Sequence, residues 1–440
     1  MKPYEILKKN LITANPVRLV ALGYLSHMLL GSVLLSLPIA QKTPVHFLDN
    51  LFVSVSAVST TGLSTVSISD SYNFFGQLII LSLIQLGGIG YMTLGSFLIL
   101  ISRKKLDELQ RGISSVVLSM PKNFKLEKFI ISVIIFTLAT ELAGAALLLG
   151  VFTYSGTPEP LWNAVFHSIS AFCTAGFSLF NNSFESFQGN HWLNFIITFL
   201  SFAGAIGFIV YVDLWRLITH KEKNITFTSK IILDTTFTLF ALGAFLLFLT
   251  NIFNTGKDTS LLISIFQSMS AITTVGFNTF TISALSLPSI VVLTILMIIG
   301  ASPSGTGGGL KTTTFSAILA TIASTIKNRK NITWYNVIIP IGRIQTAYAS
   351  FGFYFFMLAM GLLFLTMTES FSITELGFEA ASALGTVGLS LGITSNLTTL
   401  GKLIIITLMY IGRVGVLTFG TALFLKPQLL FDDKKDDLVL

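Results

Sequence analysis

Four copies of one short pattern supply the residues best suited to chemistry in this chain. The first runs Phe52…Ser56-Ala57-Val58-Ser59-Thr60-Thr61-Gly62-Leu63, and the second Phe166…Ser170-Ala171-Phe172-Cys173-Thr174-Ala175-Gly176-Phe177. The third is Phe266…Ser270-Ala271-Ile272-Thr273-Thr274-Val275-Gly276-Phe277, and the last Phe378…Ser382-Ala383-Leu384-Gly385-Thr386-Val387-Gly388-Leu389. The common form is F-x-x-x-S-A-x-x-T-x-G-[LF], with glycines 100 to 114 residues apart. That period is too long for a solenoid repeat and suits a subdomain of two membrane crossings and a loop. None of the four Thr-x-Gly segments contains Asp or Glu, which would hold a monovalent ion too tightly and favour divalent ones. They offer backbone carbonyls instead, and carbonyls ringed about one axis can replace the water shell of an alkali cation. Glycine lets successive carbonyls turn toward that axis, because no Cβ opposes the required backbone angles.

The expected ion-binding set is therefore Ser59, Thr60, Thr61 and Gly62, with Cys173, Thr174, Ala175 and Gly176, then Thr273, Thr274, Val275 and Gly276, and finally Gly385, Thr386, Val387 and Gly388. The four threonines are expected to brace the segment through their hydroxyls or to offer an oxygen. Cys173 stands where the other copies have Ser, Thr and Gly, and reads as a small residue whose carbonyl matters. A small-residue packing motif between membrane helices would explain one copy, but not four in equivalent places.

Hydropathy places the helices around these segments. Stretches apolar enough to cross a bilayer fall at about 17–37, 74–101, 129–153, 192–218, 231–253, 288–325, 346–367 and 401–425. Between each odd and even stretch lies a shorter semi-polar segment, helical at first and ending in Thr-x-Gly. The expected fold is an all-α polytopic membrane protein: four span–pore-loop–span repeats around one pore, with eight spans and four re-entrant helices. Re-entrant backbone at membrane depth is tolerated where it is buried in protein or lines a wet cavity. The repeats divide at 1–110, 111–225, 226–335 and 336–425, with a cytoplasmic tail at 426–440. The repeated Phe shares a helical face with the Ser four residues on and reads as a packing anchor. The C-terminal ends of the short helices would favour a cation in the cavity.

The stretch near 288–325 is too long for one crossing: 38 residues of helix would run roughly 57 Å against a core of about 30 Å. Its middle reads Gly300-Ala301-Ser302-Pro303-Ser304-Gly305-Thr306-Gly307-Gly308-Gly309-Leu310-Lys311, so two helical halves joined by an irregular loop are expected. This loop resembles a phosphate-binding loop only superficially, since Leu310, not glycine, precedes Lys311 and no strand leads into it. The other second spans carry Gly87-Gly88-Ile89-Gly90, Gly204-Ala205-Ile206-Gly207 and Gly412-Arg413-Val414-Gly415. Small residues there permit close helix approach or bending. Arg413 falls mid-span, where an arginine costs about 2.5–3.5 kcal/mol on insertion scales. Its expected partners are carbonyls of the broken loop, which it would latch across the pore. Glu141 also falls within a span with no partner evident in the sequence; a structural hydrogen bond is its expected role, with a proton relay as the alternative. Asp213 and Asp234 sit near span ends, where solvation is expected.

Composition agrees with this architecture and closes off others. The chain has 440 residues, 52% hydrophobic and only 11% charged, against about 25% charged in an ordinary soluble domain. Of its 27 Lys and Arg, 22 cluster at 2–18, 103–128, 216–230, 327–343 and 426–435, while Lys42, Lys257 and Lys402 lie on the other side. That asymmetry puts both termini in the cytoplasm. The basic residues flank spans rather than forming a separate block, so nucleic acid is not an expected partner. Cys173 is the single cysteine and the five histidines are scattered, which excludes a disulfide framework and a CxxC zinc site. An intramembrane enzyme would need a nucleophile–base pair or a metal-ligand cluster, and none is evident. An ion-coupled carrier of another solute is the competing class, but it predicts two inverted halves, whereas these four copies run in one direction.

The span–loop–span units, their filter glycines and the glycine-rich break resemble the Trk/Ktr/HKT superfamily of potassium transporters, and most of all its Ktr-type membrane subunit. The resemblance covers nearly the whole chain. It implies potassium as the transported ion, because the first filter position is Gly62 where sodium-selective plant relatives carry serine. It implies a multi-pass protein of the plasma membrane, a homodimer with one pore per subunit, and no covalent cofactor. It also implies a cytoplasmic ring of nucleotide-binding regulatory subunits and sodium as an activator. By the same resemblance Gly300, Ser302, Pro303, Ser304, Gly305, Thr306, Gly307, Gly308, Gly309 and Lys311 form an intramembrane gate, with Arg413 facing it.

Overall fold

The computed structural model describes residues 16–90, 93, 126–220, 224–255 and 261–424. The basic start before residue 16, nearly all of the second apolar stretch past residue 90, the connector up to 125, Lys257 and the tail 426–440 lie outside the described residues.

One succession occurs four times: a long apolar helix, a 13-residue helix, a connector, and a further apolar helix. The first helices are α1 (Pro16–Leu35), α4 (Leu126–Tyr154), α8 (Phe227–Thr255) and α12 (Ile341–Thr368). The 13-residue helices are α2 (Phe47–Ser59), α5 (Pro160–Phe172), α9 (Leu261–Thr273) and α13 (Ile373–Gly385). The further helices are α3 (Phe74–Ile89), α6 (His191–Ala205) with α7 (Phe208–Ile218), α10 (Leu287–Ile298) with α11 (Thr312–Ile326), and α14 (Thr399–Val414) with α15 (Val416–Phe424). A two-stranded hairpin, β1 (Thr333–Trp334) and β2 (Val337–Ile338), links α11 to α12.

Each further helix begins on a side-chain cap. Asn73, Asn190, Ser286 and Thr398 accept from the backbone N–H groups of the first turn, which satisfies donors that would otherwise lack partners at a helix start. Among the described residues, only the first helix of each succession is long and apolar enough to cross a membrane unaided. The third of the further helices is broken as expected, and the bending that small residues permit is present in others. α6 and α7 meet at 95°, α14 and α15 at 97°, and α3 stops at Ile89.

One glycine pair explains the breaks. In each G-x-x-G the last glycine takes a positive φ: 89° at Gly90, 96° at Gly207 and 88° at Gly415. The helix cannot continue through such a residue. The first glycine has a different task. A Cβ on Gly87, Gly204 or Gly412 would collide with the carbonyl of Val58, Phe172 or Leu384, respectively, near the end of the 13-residue helix beside it. Close approach and bending both occur, each at its own glycine.

Phe52, Phe166, Phe266 and Phe378 are all buried, so the repeated aromatic packs inside. Lys402 on α14 reaches Asp49 on α2 at 2.7 Å, and Asp49 also accepts from Thr65. This pair joins the last unit to the first. Asp213 departs from the expectation of solvation. It is 4% exposed and accepts from Thr226 and Ser229, fastening the end of α7 to the start of α8.

Candidate functional site

The four 13-residue helices end alike. The N–H of each motif threonine bonds to the motif alanine carbonyl, at 3.1 Å for Thr60, Thr174 and Thr386 and 3.3 Å for Thr274. The next N–H bonds to the motif serine carbonyl at 2.8–3.1 Å. This caps the helix but puts Thr60, Thr174, Thr274 and Thr386 at φ of 53°, 50°, 58° and 51°. A β-branched residue in the left-handed region is strained by about 1–3 kcal/mol. The same strain at four matching positions marks a site whose shape is imposed by its surroundings.

The motif serines brace all four segments, and two of the threonines add hydroxyl bonds of their own. Ser56 and Ser382 accept from the N–H of Gly62 and Gly388, both at 3.0 Å. Ser170 and Ser270 donate instead to the carbonyls of Phe177 and Phe277, at 2.8 and 2.6 Å. Thr60 and Thr174 donate to the carbonyl just before them, and the buried hydroxyls of Thr274 and Thr386 have no hydrogen-bond partner among the described residues.

The four segments meet. A Cβ on Gly62 would strike the carbonyl oxygen of Ala175, one on Gly176 that of Val275, one on Gly276 that of Val387, and one on Gly388 that of Thr61. The chain of contacts closes on itself in the order 62, 176, 276, 388. Their φ angles are 92°, 65°, 80° and 95°, so both space and backbone angle demand glycine. The carbonyls of Thr61, Ala175, Val275 and Val387 receive no hydrogen bond from a described residue. On one side of this ring opens a cavity of about 460 Å³ lined by all four glycines together with Asn278, Glu185 and Ser390.

On the other side lies the segment between α10 and α11. Thr306 Oγ1 is 3.0 Å from Thr174 Oγ1 and 3.2 Å from the Phe172 carbonyl. A Cβ on Gly307 would meet Thr274 Oγ1, and one on Gly308 would meet Thr386 Oγ1. Residues 306–308 therefore sit directly under the four threonines. Beyond them is a second cavity, about 260 Å³, lined by Lys311, Arg413, Gly88 and Gly90 among others.

The loop is held from several directions. Ser302 and Thr306 donate their N–H groups to the carbonyls of Ala205 and Gly204, both at 3.1 Å, and Phe208 N–H donates to the Ser304 carbonyl at 3.2 Å. These carbonyls and this N–H are freed by the α6–α7 break. Within the loop, Ala301 N–H donates to the Gly308 carbonyl at 3.2 Å, and Gly305 N–H to Ser302 at 3.3 Å. Gly300 abuts Gly308 and Gly309, and the Pro303 carbonyl abuts Gly207. Lys311 turns back on its own loop, donating to the Gly307 carbonyl at 2.7 Å. Arg413 Nη1 donates to the Thr306 carbonyl and, at 2.9 Å, to Thr60 Oγ1, while Nη2 donates to the carbonyls of Gly87 and Gly88.

Several contributors escaped the sequence reading. The residue after each repeated Phe is Val53, His167, Gln267 or Glu379. His167 pairs with Ser178 Oγ at 3.0 Å, and Glu379 accepts from Ser390 at 2.9 Å and from Thr394. Both brace the chain just past a ring glycine. Aligning the four copies one residue further would have exposed these polar positions. In the outer connectors, the Asn181 amide bonds to Asp70 at 2.9 Å, and that bond with the Ser67 hydroxyl holds the Asp70 carboxyl below the usual carboxylate range.

Four re-converging segments closed into a ring inside a bundle of apolar helices are the mark of a membrane protein, and comparison with known proteins gives its class. The family model described as TrkH, "Cation transport protein", matches residues 25–430, and the chain belongs to that family of cation transporters. It is not an enzyme. It is 34% identical to the Ktr system potassium uptake protein B of Bacillus subtilis over 412 residues, covering 92% of each chain. It is also 34% identical to the potassium/sodium uptake protein NtpJ of Enterococcus hirae, covering 94% of each. Among solved structures, the potassium transporter TrkH from Vibrio parahaemolyticus shares the fold at a TM-score of 0.74 and 20% identity, over 93% of this chain and 85% of that one.

Proposed function

We propose that this chain is the pore subunit of a potassium uptake system of the plasma membrane. The observation that carries the reading is the closed contact order of the four glycines, with unbonded carbonyls between them. The carbonyls stand in for the water around a potassium ion: they are weak enough ligands to release it and numerous enough to replace its hydration. Each apolar helix succession is one repeat, with boundaries near 110, 225, 335 and 425. The repeats form eight crossings and four re-entrant helices, and both termini lie in the cytoplasm. The names of the relatives in Bacillus subtilis and Enterococcus hirae, potassium uptake and potassium/sodium uptake, agree with potassium as cargo; sodium is read as an activator.

The loop 300–311 is the gate in this reading, because Thr306 to Gly308 occupy the space a departing ion would cross. Arg413 is its latch. Bends at Gly207 and Gly415 turn α7 and α15 away from the helices before them, where a cytoplasmic partner could press on them. A homodimer with a ring of nucleotide-binding subunits fits that arrangement.

The test is rubidium uptake in cells lacking their own potassium systems. Gly62→Ser places a Cβ against the Ala175 carbonyl, and the rubidium-over-sodium preference should fall by about tenfold or more, the effect of about 1.4 kcal/mol. Wild-type preference in that variant would refute the filter.

A further inference from the structure

Glu141 lies within α4, 5% exposed, in a stretch with no other charged residue from 129 to 158. A carboxyl at membrane depth needs partners, and it has two. Gln85 on α3 donates its Nε2 to Glu141 Oε2 at 3.1 Å. The other side of the same amide, Oε1, is 3.5 Å from Cys173 Sγ, and Glu141 Oε1 is 3.8 Å from that sulfur. The single hydrogen of the thiol thus faces two acceptors. The sulfur also fills the space beside Gly88, where a Cβ would come within 2.6 Å of it.

The matching residues in the other copies behave differently. Ser59 and Thr273 donate to carbonyls of their own helices, those of Ser56 and Met269, at 3.2 and 2.7 Å. Gly385 has no side chain. Of the four, Cys173 is the one whose side chain bonds to side chains on other helices. Ser168 on α5 donates to the Glu141 carbonyl at 2.7 Å, tying the same short helix to α4. The α3 turn that carries Gln85 also presents the Gly87 and Gly88 carbonyls to Arg413.

We propose that Glu141 is a positioning residue for ion preference: through Gln85 and the Cys173 thiol it fixes the backbone that enters the second filter segment. This rests on the filter reading given above. Glu141 never touches the ion. It acts on where the Cys173–Gly176 backbone stands, and a carbonyl ring discriminates between ions by the position and number of its oxygens.

The experiment is a double-mutant cycle on rubidium uptake and its inhibition by sodium, with Glu141→Ala, Cys173→Ala, both together, and Gly62→Ser alongside. Glu141→Ala removes the acceptor of the Gln85 bond and one of the two acceptors of the thiol, so it should raise the rubidium KM and lower the rubidium-over-sodium preference by about two- to tenfold, with the maximal rate changed less. Cys173→Ala should shift preference in the same direction. The double variant should shift it no further than the larger single effect, because both act on one linkage. Glu141→Gln keeps an acceptor oxygen and should retain most of the preference. Wild-type preference in Glu141→Ala, or additive effects in the double variant, would overturn the proposal. If Glu141→Ala fails to reach the membrane, Gln85→Leu breaks the same linkage and is judged by the same shift. A shift in Gly62→Ser without one in Glu141→Ala sinks only the role of Glu141, and no shift in either sinks the filter.

Discussion

Gly276→Ala abolishes transport: rubidium uptake by the variant falls at least about a hundredfold, equivalent to some 2.7 kcal/mol on the barrier. Two independent facts drive this. The φ of Gly276 is +80°, a conformation an L side chain resists. The added methyl would also collide with the Val387 carbonyl and stand 3.0 Å from the Gly388 Cα. Those neighbours are backbone, so no flexible side chain can swing aside. Relief requires moving the carbonyl between the third and fourth segments, and that carbonyl is one of the ring. Gly342→Ala is the matched control, since nothing lies within 4 Å of its added Cβ. Uptake by Gly276→Ala near the wild-type level, with the protein present in the membrane, would contradict the ring as the ion path.

Arg413→Ala has the opposite sign. In liposomes holding this chain alone, rubidium flux should rise about tenfold or more. Arg413 joins the Thr306 carbonyl of the loop to Thr60 of the ring and to the α3 carbonyls of Gly87 and Gly88. When the loop withdraws, the bond to Thr306 breaks while the others can persist. A hydrogen bond from a charged donor contributes about 1.5–3 kcal/mol, and each 1.4 kcal/mol removed from the closed state alone shifts the population about tenfold. Removing a mid-membrane guanidinium also removes an insertion penalty, so the variant should still fold. The loop keeps its bonds to Gly204, Ala205 and Phe208, which is why the expected change is a bias and not a permanently open pore. Unchanged flux would show that Arg413 holds the structure without latching the loop.

What the sequence disclosed and what it withheld divide along a physical line. The four glycines and the irregular 300–311 segment were readable because their demands are local: a backbone angle, a missing Cβ, a proline among glycines. Partners chosen by tertiary packing were not. The serines of the motif could bond to the glycine N–H or to the following carbonyl, and the structure uses both, Ser56 one way and Ser170 the other. The bends at Gly207 and Gly415 could not be told from helix packing, because a glycine within a span serves either purpose. Only contact with Phe172 and Leu384 separates the packing glycine from the breaking one. Asp213 stood near a span end, where water was the natural partner, yet it is spent on Thr226 and Ser229. Glu141 had no visible partner because Gln85 is 56 residues away in sequence and neutral.

In the proposed pore one alkali ion is held where Thr61, Ala175, Val275 and Val387 turn their carbonyls inward. The decisive measurement is anomalous diffraction from crystals of the protein grown in rubidium. A rubidium peak is expected on the axis those four oxygens share, lost in Gly276→Ala. A peak lying elsewhere in the protein, with none between the four segments, would contradict that placement.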